Sequence, residues 1–318
     1  MRTRTAAAGT MTALTALALA AVTACSSSSS PSAAASAPTA SSNPLAPGSS
    51  SGSVVVGSAN FPEDELLAEV YVLALEAKGI KATSKFNIGA REVYYPQIAN
   101  GTISIIPEYN GALLSTAVDP SSPAKSTAQV DAALTAKLPP TLEILSPSSA
   151  QDSDSVAVTQ ATAAKYHLKS IADLKSHAQD MVVGGPPEFK TRVNGLAGLK
   201  RTYGLVFKGF DPLDESGPIT LAALQDGKVQ AADVFTTTPQ ILADKLVVLT
   251  DPKFNFAAQN VIPLLYKPAA NPVIVSTLDA VSAALTTNAL LQMDNAIITL
   301  HANYSTVASA FLKEAGLS

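Results

Sequence analysis

The sequence predicts an α/β protein of two similar lobes, and three observations predict it. Short β-branched runs alternate with helical stretches along most of the chain. Two pairs of segments recur at almost one spacing. Side chains able to build a core begin only near Val54, after a long stretch of Ser, Ala, Pro and Thr.

The first segment is an address rather than a fold. Met1-Arg2-Thr3-Arg4 leads into a run of Ala, Leu, Thr and Val that ends at Val22-Thr23-Ala24-Cys25. A charged start, an apolar stretch too short for a bilayer and small residues before a cleavage point mark a secretory signal. Residues 1–24 are expected to be removed, and Cys25, the one cysteine of 318 residues, to carry a lipid. A lone thiol in an exported protein otherwise invites mispairing. Residues 25–53 carry no charge and are too poor in large apolar side chains to fold, so a disordered tether reaching about 30 Å is expected. Two acyl chains on the cysteine would give stable attachment. The folded body is therefore expected on the extracytoplasmic face of the cell membrane, lipid-anchored.

Composition narrows the function of that body. Formal charge is −4 for the chain, and losing Arg2 and Arg4 makes it about −6. No basic cluster stands out, which argues against nucleic acid as a partner. The 47% apolar content is mostly Ala, Val and Leu, and no later run approaches about 18 uninterrupted apolar residues, so no later membrane span is expected.

From Val54 the elements follow in order. Val54-Val55-Val56 reads as a strand, Gly57 to Pro62 as a loop, and Glu63 to Ala77 as a helix with Leu66, Leu67, Val70, Leu73 and Ala74 on one face, stopped by Gly79. Further strands are expected around residues 103–106, 155–158, 181–183, 231–235, 246–249 and 261–265. Strands separated by helices imply a parallel sheet covered on both faces, and such sheets bind ligands at the carboxyl ends of their strands. Val55-Val56-Gly57-Ser58, followed by Pro62-Glu63, resembles Val182-Val183-Gly184-Gly185, followed by Pro187-Glu188. Asn100-Gly101 running to Tyr109 resembles Asp226-Gly227 running to Phe235. Val55 and Val182 stand 127 residues apart, Tyr109 and Phe235 126 apart. The spacing predicts two like lobes with these aromatics facing each other across a cleft. Polar runs at 151–155 and 256–260 read as two hinge crossovers, giving one lobe from 54–153 plus 260–318 and another from 154–259.

Signs of catalysis are weak. His167, His177 and His301 lack metal-ligand spacing, Ser122 and Lys125 sit in a proline-bounded loop, and no phosphate-binding glycine motif or carboxylate pair stands out. A cleft without evident chemistry, metal or cofactor is what the residues describe.

Six ordered segments then carry a family likeness: Gly57-Ser58-Ala59-Asn60-Phe61-Pro62-Glu63, Ile88-Gly89-Ala90-Arg91-Glu92, Pro107-Glu108-Tyr109-Asn110-Gly111, Gly184 to Arg192, Asp233-Val234-Phe235-Thr236-Thr237 and Gln259-Asn260-Val261-Ile262-Pro263-Leu264. The chain resembles the osmoprotectant substrate-binding proteins of ABC importers for glycine betaine, carnitine and choline, most closely actinobacterial lipoproteins. The resemblance implies a two-lobed periplasmic-binding-protein fold with a two-crossover hinge, a monomer that closes on a small polar or quaternary-ammonium solute and delivers it to an ABC permease. It implies no cofactor and no catalysis. The alternatives are the same fold retuned for an aromatic or polyphenol-like ligand, or an exported sensor module or enzyme.

Ligand contacts are carried over to the matching positions. They fall on Asn60, Phe61 and Glu63, on Arg91, on Glu108 and Tyr109, on Glu188, Phe189 and Arg192, on Phe235, Thr236 and Thr237, and on Gln259 and Asn260. Tyr109 matches a tyrosine of the family's aromatic cage, and Phe235 stands where relatives often carry tyrosine. Ala59 replaces a basic residue that can hold a betaine carboxylate. Phe61 reads equally as a cleft wall or a core plug. Arg91 and Arg192 could meet a carboxylate on the ligand or pair locally with Glu92 or Glu188. Glu63 suits a helix start, Glu108 suits a cationic guest, and Thr236, Thr237, Gln259 and Asn260 would orient it by neutral hydrogen bonds.

Overall fold

In the computed structural model, which describes residues 53–318, ten strands form two five-stranded sheets. The expected signal peptide, Cys25 and all of the expected tether except Ser53 lie outside the described residues. The strands are β1 (Val54–Gly57), β2 (Ala82–Lys85), β3 (Ile105–Tyr109), β4 (Leu142–Ile144), β5 (Val156–Val158), β6 (Val182–Gly185), β7 (Gly209–Pro212), β8 (Ala231–Asp233), β9 (Val247–Leu249) and β10 (Val261–Tyr266). The helices in the first half are α1 (Pro62–Ala77), α2 (Arg91–Ala99), α3 (Asn110–Leu113), α4 (Thr127–Lys137) and α5 (Gln160–Tyr166). Those in the second half are α6 (Leu196–Tyr203), α7 (Pro218–Gln225), α8 (Gln240–Ala243), α9 (Pro272–Ala284), α10 (Thr287–Asp294) and α11 (Tyr304–Glu314).

The sheets share one plan. The first has the order β2-β1-β3-β10-β4, the second β7-β6-β8-β5-β9. In each, the strand of the Val-Val-Gly repeat, β1 or β6, pairs in parallel with both neighbours. In each, the fourth strand, β10 or β5, runs antiparallel to both of its own. The expected parallel sheet is thus corrected to a mixed one. The chain enters β5 after leaving the first sheet and enters β10 after leaving the second, so neither strand arrives by the βαβ crossover that fixes a parallel orientation. Strands β2, β4 and β7 were not expected. Ala82-Thr83-Ser84-Lys85 is an exposed edge with no apolar run to reveal it.

Burial follows the pleat. Val156 and Val158 of β5 join the core on one face of the second sheet, and Ala157 joins the core on the other. This is the period of two that a strand covered on both sides requires. Under the first sheet, α1 buries Leu66, Leu67, Val70 and Leu75 completely, each contributing roughly 1.5–3 kcal/mol of transfer free energy. Its partners are α9 and α11. No single helix among the described residues is long and apolar enough to cross a membrane.

Three details position the cleft. Pro62 opens α1 at its first turn, where a missing N–H costs nothing, and Asp64 Oδ2 accepts a 2.5 Å bond from Ala59 N, folding the loop after β1 back over the helix start. Gly111 lets the returning chain approach the end of β3; a Cβ there would lie 2.2 Å from the Ala258 carbonyl oxygen. The two connections between the sheets run side by side, bridged at Gln151 and Asn260, with Asp152 N donating to Gln259 O at 3.1 Å.

Candidate functional site

The carboxyl ends of β1 and β3 and the chain just past β8 bring three aromatic rings together. The Phe61 ring lies 5.9 Å from that of Tyr109, tilted, and 5.2 Å from that of Phe235, edge to face. The two repeat-related aromatics therefore do not meet directly, because Phe61 stands between them. Phe61 is 8% exposed and serves both as cleft wall and as part of the first sheet's core. The cavity these rings border encloses about 30 Å³, room for only about two water molecules. A larger guest requires the walls to separate.

Two arginines line this cavity, and each is already engaged. Arg91 grips Glu108 through Nε at 3.0 Å and Nη2 at 2.9 Å. The same carboxylate accepts from Tyr94 Oη at 2.8 Å and from Tyr109 N at 3.0 Å. Glu108 is fully buried, and its oxygens serve this network rather than standing open to a cation. Burial alone would lower the Arg91 pKa, but Glu108 and its hydrogen bonds outweigh burial and hold it well above its usual value. Arg192 reaches across to the first sheet's α2, forking onto Glu92 at 3.1 and 3.0 Å. The expected local Glu188 adds a second, longer ion pair at 3.9 Å, whereas Arg91 turns to Glu108 rather than to the expected Glu92. Each arginine thus pairs through space, where the fork fits two oxygens at once.

The remaining charges at the cleft are acids that form no salt bridge among the described residues. Glu63 Oε1 accepts from Tyr109 Oη at 2.5 Å and Oε2 from Thr237 Oγ1 at 2.6 Å. A first-turn helix residue so joins the rings to the second sheet. Burial first, and then the adjacent Asp294 carboxyl, raise the Glu63 pKa well above the usual range. Asp152, buried beside Thr237 and accepting its N–H at 3.1 Å, is raised for the same first reason and then by Glu63. Burial pushes Asp294 up to about 7. Burial, then the nearby Glu188, pushes Glu215 up to about 8. Among the described residues no three His, Cys, Asp or Glu side chains are placed to hold a metal ion.

The other carried-over residues scatter. Gln259 reaches the cavity wall, where its Nε2 donates to Asp154 at 2.9 Å. Phe189 is 2% exposed in the core of the second sheet, beneath a close approach of Gly195 to its carbonyl, so it supports the cleft without facing it. The Asn260 amide is consumed inside the fold, donating to Ser148 O at 2.9 Å and accepting from Thr127 Oγ1 at 2.7 Å. Asn60 points to solvent, and Thr236 sits exposed on the hinge side, donating to Asp152.

Tyr94, Glu215, Asp294 and the carboxylates of Asp152 and Asp154 escaped the sequence reading. Tyr94 had a signal, since it follows Arg91 by three residues and shares its helix face. Glu215 lies in the loop after β7, at a strand's carboxyl end. Asp294 ends α10 and is 1% exposed, a placement that is expensive for an acid unless used.

A family model described as the substrate-binding domain of ABC-type glycine betaine transport systems matches residues 52–314. The glycine betaine-binding protein YehZ of Escherichia coli (strain K12) is 29% identical over 284 residues, covering 83% of this chain and 90% of that one. Among solved structures, a glycine betaine/carnitine/choline ABC transporter protein superposes with a TM-score of 0.64 at 22% identity, over 83% of this chain and 99% of the other. A choline-binding protein of an ABC transporter, in complex with choline, gives 0.62 at 16% identity over 82% and 88%. At these identities the structural likenesses speak for the fold: two α/β sheets of the periplasmic-binding-protein kind.

Proposed function

The chain belongs to the family of substrate-binding domains of ABC-type glycine betaine transport systems, and from that premise we propose that it captures a small quaternary-ammonium cation of the choline class. The observation that carries this is the pairing of three aromatic rings with acids, Asp152, Glu63 and Glu215, that form no salt bridge among the described residues. Ring faces attract a cation by roughly 0.5–2 kcal/mol per good contact, and Asp152, Glu63 and Glu215 supply negative charge once a cation displaces their protons. A zwitterion such as glycine betaine also needs a free cation for its carboxylate. Arg91 is held by Glu108 and Arg192 by Glu92, and position 59 is alanine, so the site favours a guest without a carboxylate.

Capture and delivery to permease subunits then follow from closure of two lobes, 54–153 with 260–318 and 154–259, about the paired connections at 151–155 and 256–260. Few residues absorb such a rotation while each core moves as a body. The protein acts as a monomer held at the extracytoplasmic face by a lipid on Cys25 after cleavage behind Ala24. Mass spectrometry of the mature N-terminus checks the anchor, and a first residue other than modified Cys25 removes it.

Calorimetric titration with choline, glycine betaine and carnitine tests the ligand class. Choline is expected to bind most tightly, with Tyr109→Ala and Phe235→Ala each weakening it by about 1–3 kcal/mol through lost ring area and ring-face attraction. Glycine betaine binding more tightly than choline, or both variants binding like the parent, overturns the reading.

A further inference from the structure

Phe61, Glu215 and Phe235 border two spaces: the cavity of about 30 Å³ among the rings and a second of about 650 Å³. The second falls in the size range that encloses drug-sized guests, about 300–1,000 Å³. Hydrocarbon from both halves of the molecule walls it. Leu221 of α7 packs with the second sheet, whereas Ile297 and Ile298, after α10, and Tyr304, at the start of α11, pack with the first.

The buried hydroxyls of this lining are spent within the protein. Ser216 Oγ and Thr238 Oγ1 share a 2.7 Å bond, and Thr237 Oγ1 donates to Glu63 at 2.6 Å. No lysine or arginine lines the cavity among the described residues, while Glu63, Glu215 and Asp294 do. A polar chain entering it would exchange water for few new bonds, and an anionic chain would meet like charge. A hydrocarbon chain gives up nothing by leaving water, and each methylene it buries strengthens binding about fourfold. Seating a trimethylammonium head among the rings already requires their walls to separate. Because Phe61 and Phe235 wall both spaces, parting them joins the head's site to the larger cavity.

Resting on the ring-site reading above, we propose that the preferred guest within the choline class carries a hydrocarbon substituent on its nitrogen, butyl-sized or longer. The rings hold the ammonium head, and the substituent lies against Leu221, Ile297, Ile298 and Tyr304. Since Leu221 packs with one sheet and the other three with its neighbour, the buried substituent also bridges the sheets.

The probes are choline and its homologues in which butyl or hexyl replaces one N-methyl group, titrated by calorimetry. The butyl homologue is expected to bind at least about tenfold more tightly than choline, and the hexyl homologue more tightly still. The heat-capacity change of binding is expected to grow more negative along the series, as it does when apolar surface is buried. Ile298 is a half-buried wall residue outside the ring cavity, and Ile298→Asn is expected to weaken the hexyl homologue about tenfold more than choline. A circular-dichroism melt shows whether that variant is folded; if it is not, the series and its heat capacities decide alone. Affinity that stays level or falls from methyl to hexyl while choline binds overturns the proposal and leaves the ring-site reading standing. Equal weakening of choline and the hexyl homologue by a folded Ile298→Asn does the same. If neither choline nor any homologue binds at millimolar concentration, the ring-site reading falls and this one with it.

Discussion

Glu108 and Glu63 are two carboxylates buried to nearly the same degree, 0% and 4% exposed, and their surroundings give them opposite roles. Glu108 is ringed by a guanidinium, a phenol and a backbone N–H. Glu63 has two hydroxyls and a neighbouring carboxyl, and no basic group. Burying a charge is tolerable when a partner of opposite sign comes with it, and otherwise the group keeps its proton. Glu108 is thus the salt-bridge partner that holds α2 to β3. Glu63 bridges the two sheets through Tyr109 and Thr237, and burial followed by the adjacent Asp294 raises its pKa well above the usual range.

The sharpest test of that contrast is to remove each charge while keeping its shape. Glu108→Gln strands Arg91 as a buried unpaired cation, a defect expected to cost about 3–5 kcal/mol and to lower the melting temperature by about 10 °C. Glu63→Gln puts a near isostere in place of a carboxyl whose pKa burial already raises, and is expected to change stability by less than about 1 kcal/mol. Equal losses in the two variants, read from urea unfolding, would erase the distinction.

A second test uses pH. Asp294 and Glu215, pushed up to about 7 and about 8, hold protons in the folded ligand-free protein that the unfolded chain has already released. Such raised groups contribute stability that is complete below their unfolded values near 4 and is lost as pH rises through 7 and 8. Glu63 and Asp152 act in the same direction. The lowered carboxyls, Glu92, Asp119 and Asp173, have the opposite sign, but they finish titrating below about pH 5. The ligand-free domain is therefore expected to melt several degrees lower at pH 8.5 than at pH 5.5, and Asp294→Asn to shrink that difference. A melting temperature that stays level or climbs over this range would mean these acids are ionised in the folded state.

The smallest effect belongs to the exposed counterpart of the Arg91 pair. Glu92 is 51% exposed where it meets Arg192, and such pairs contribute about 0–1 kcal/mol. Glu92→Ala is expected to leave the melting temperature within about 2 °C while letting the ligand-free sheets part, seen as a larger radius of gyration in X-ray scattering. A loss as large as that of Glu108→Gln would show that exposure does not separate the two pairs.

Much of this was written locally. The helix of α1, the Val-Val-Gly strands and the matched positions of Tyr109 and Phe235 follow from apolar periodicity, β-branching and turn residues, which act over a few neighbours and so can be read along the chain. The six motif segments likewise identified the family. Tertiary structure alone decided the rest. It reversed β5 and β10, placed Phe61 between the repeat-related rings and gave Arg192 a partner 100 residues away. It also gathered Glu63, Asp152, Glu215 and Asp294 around the cleft. Whether a carboxyl is an anion, a proton holder or a ligand contact depends on desolvation and on charges a few ångströms away, and those distances exist only once the chain has folded.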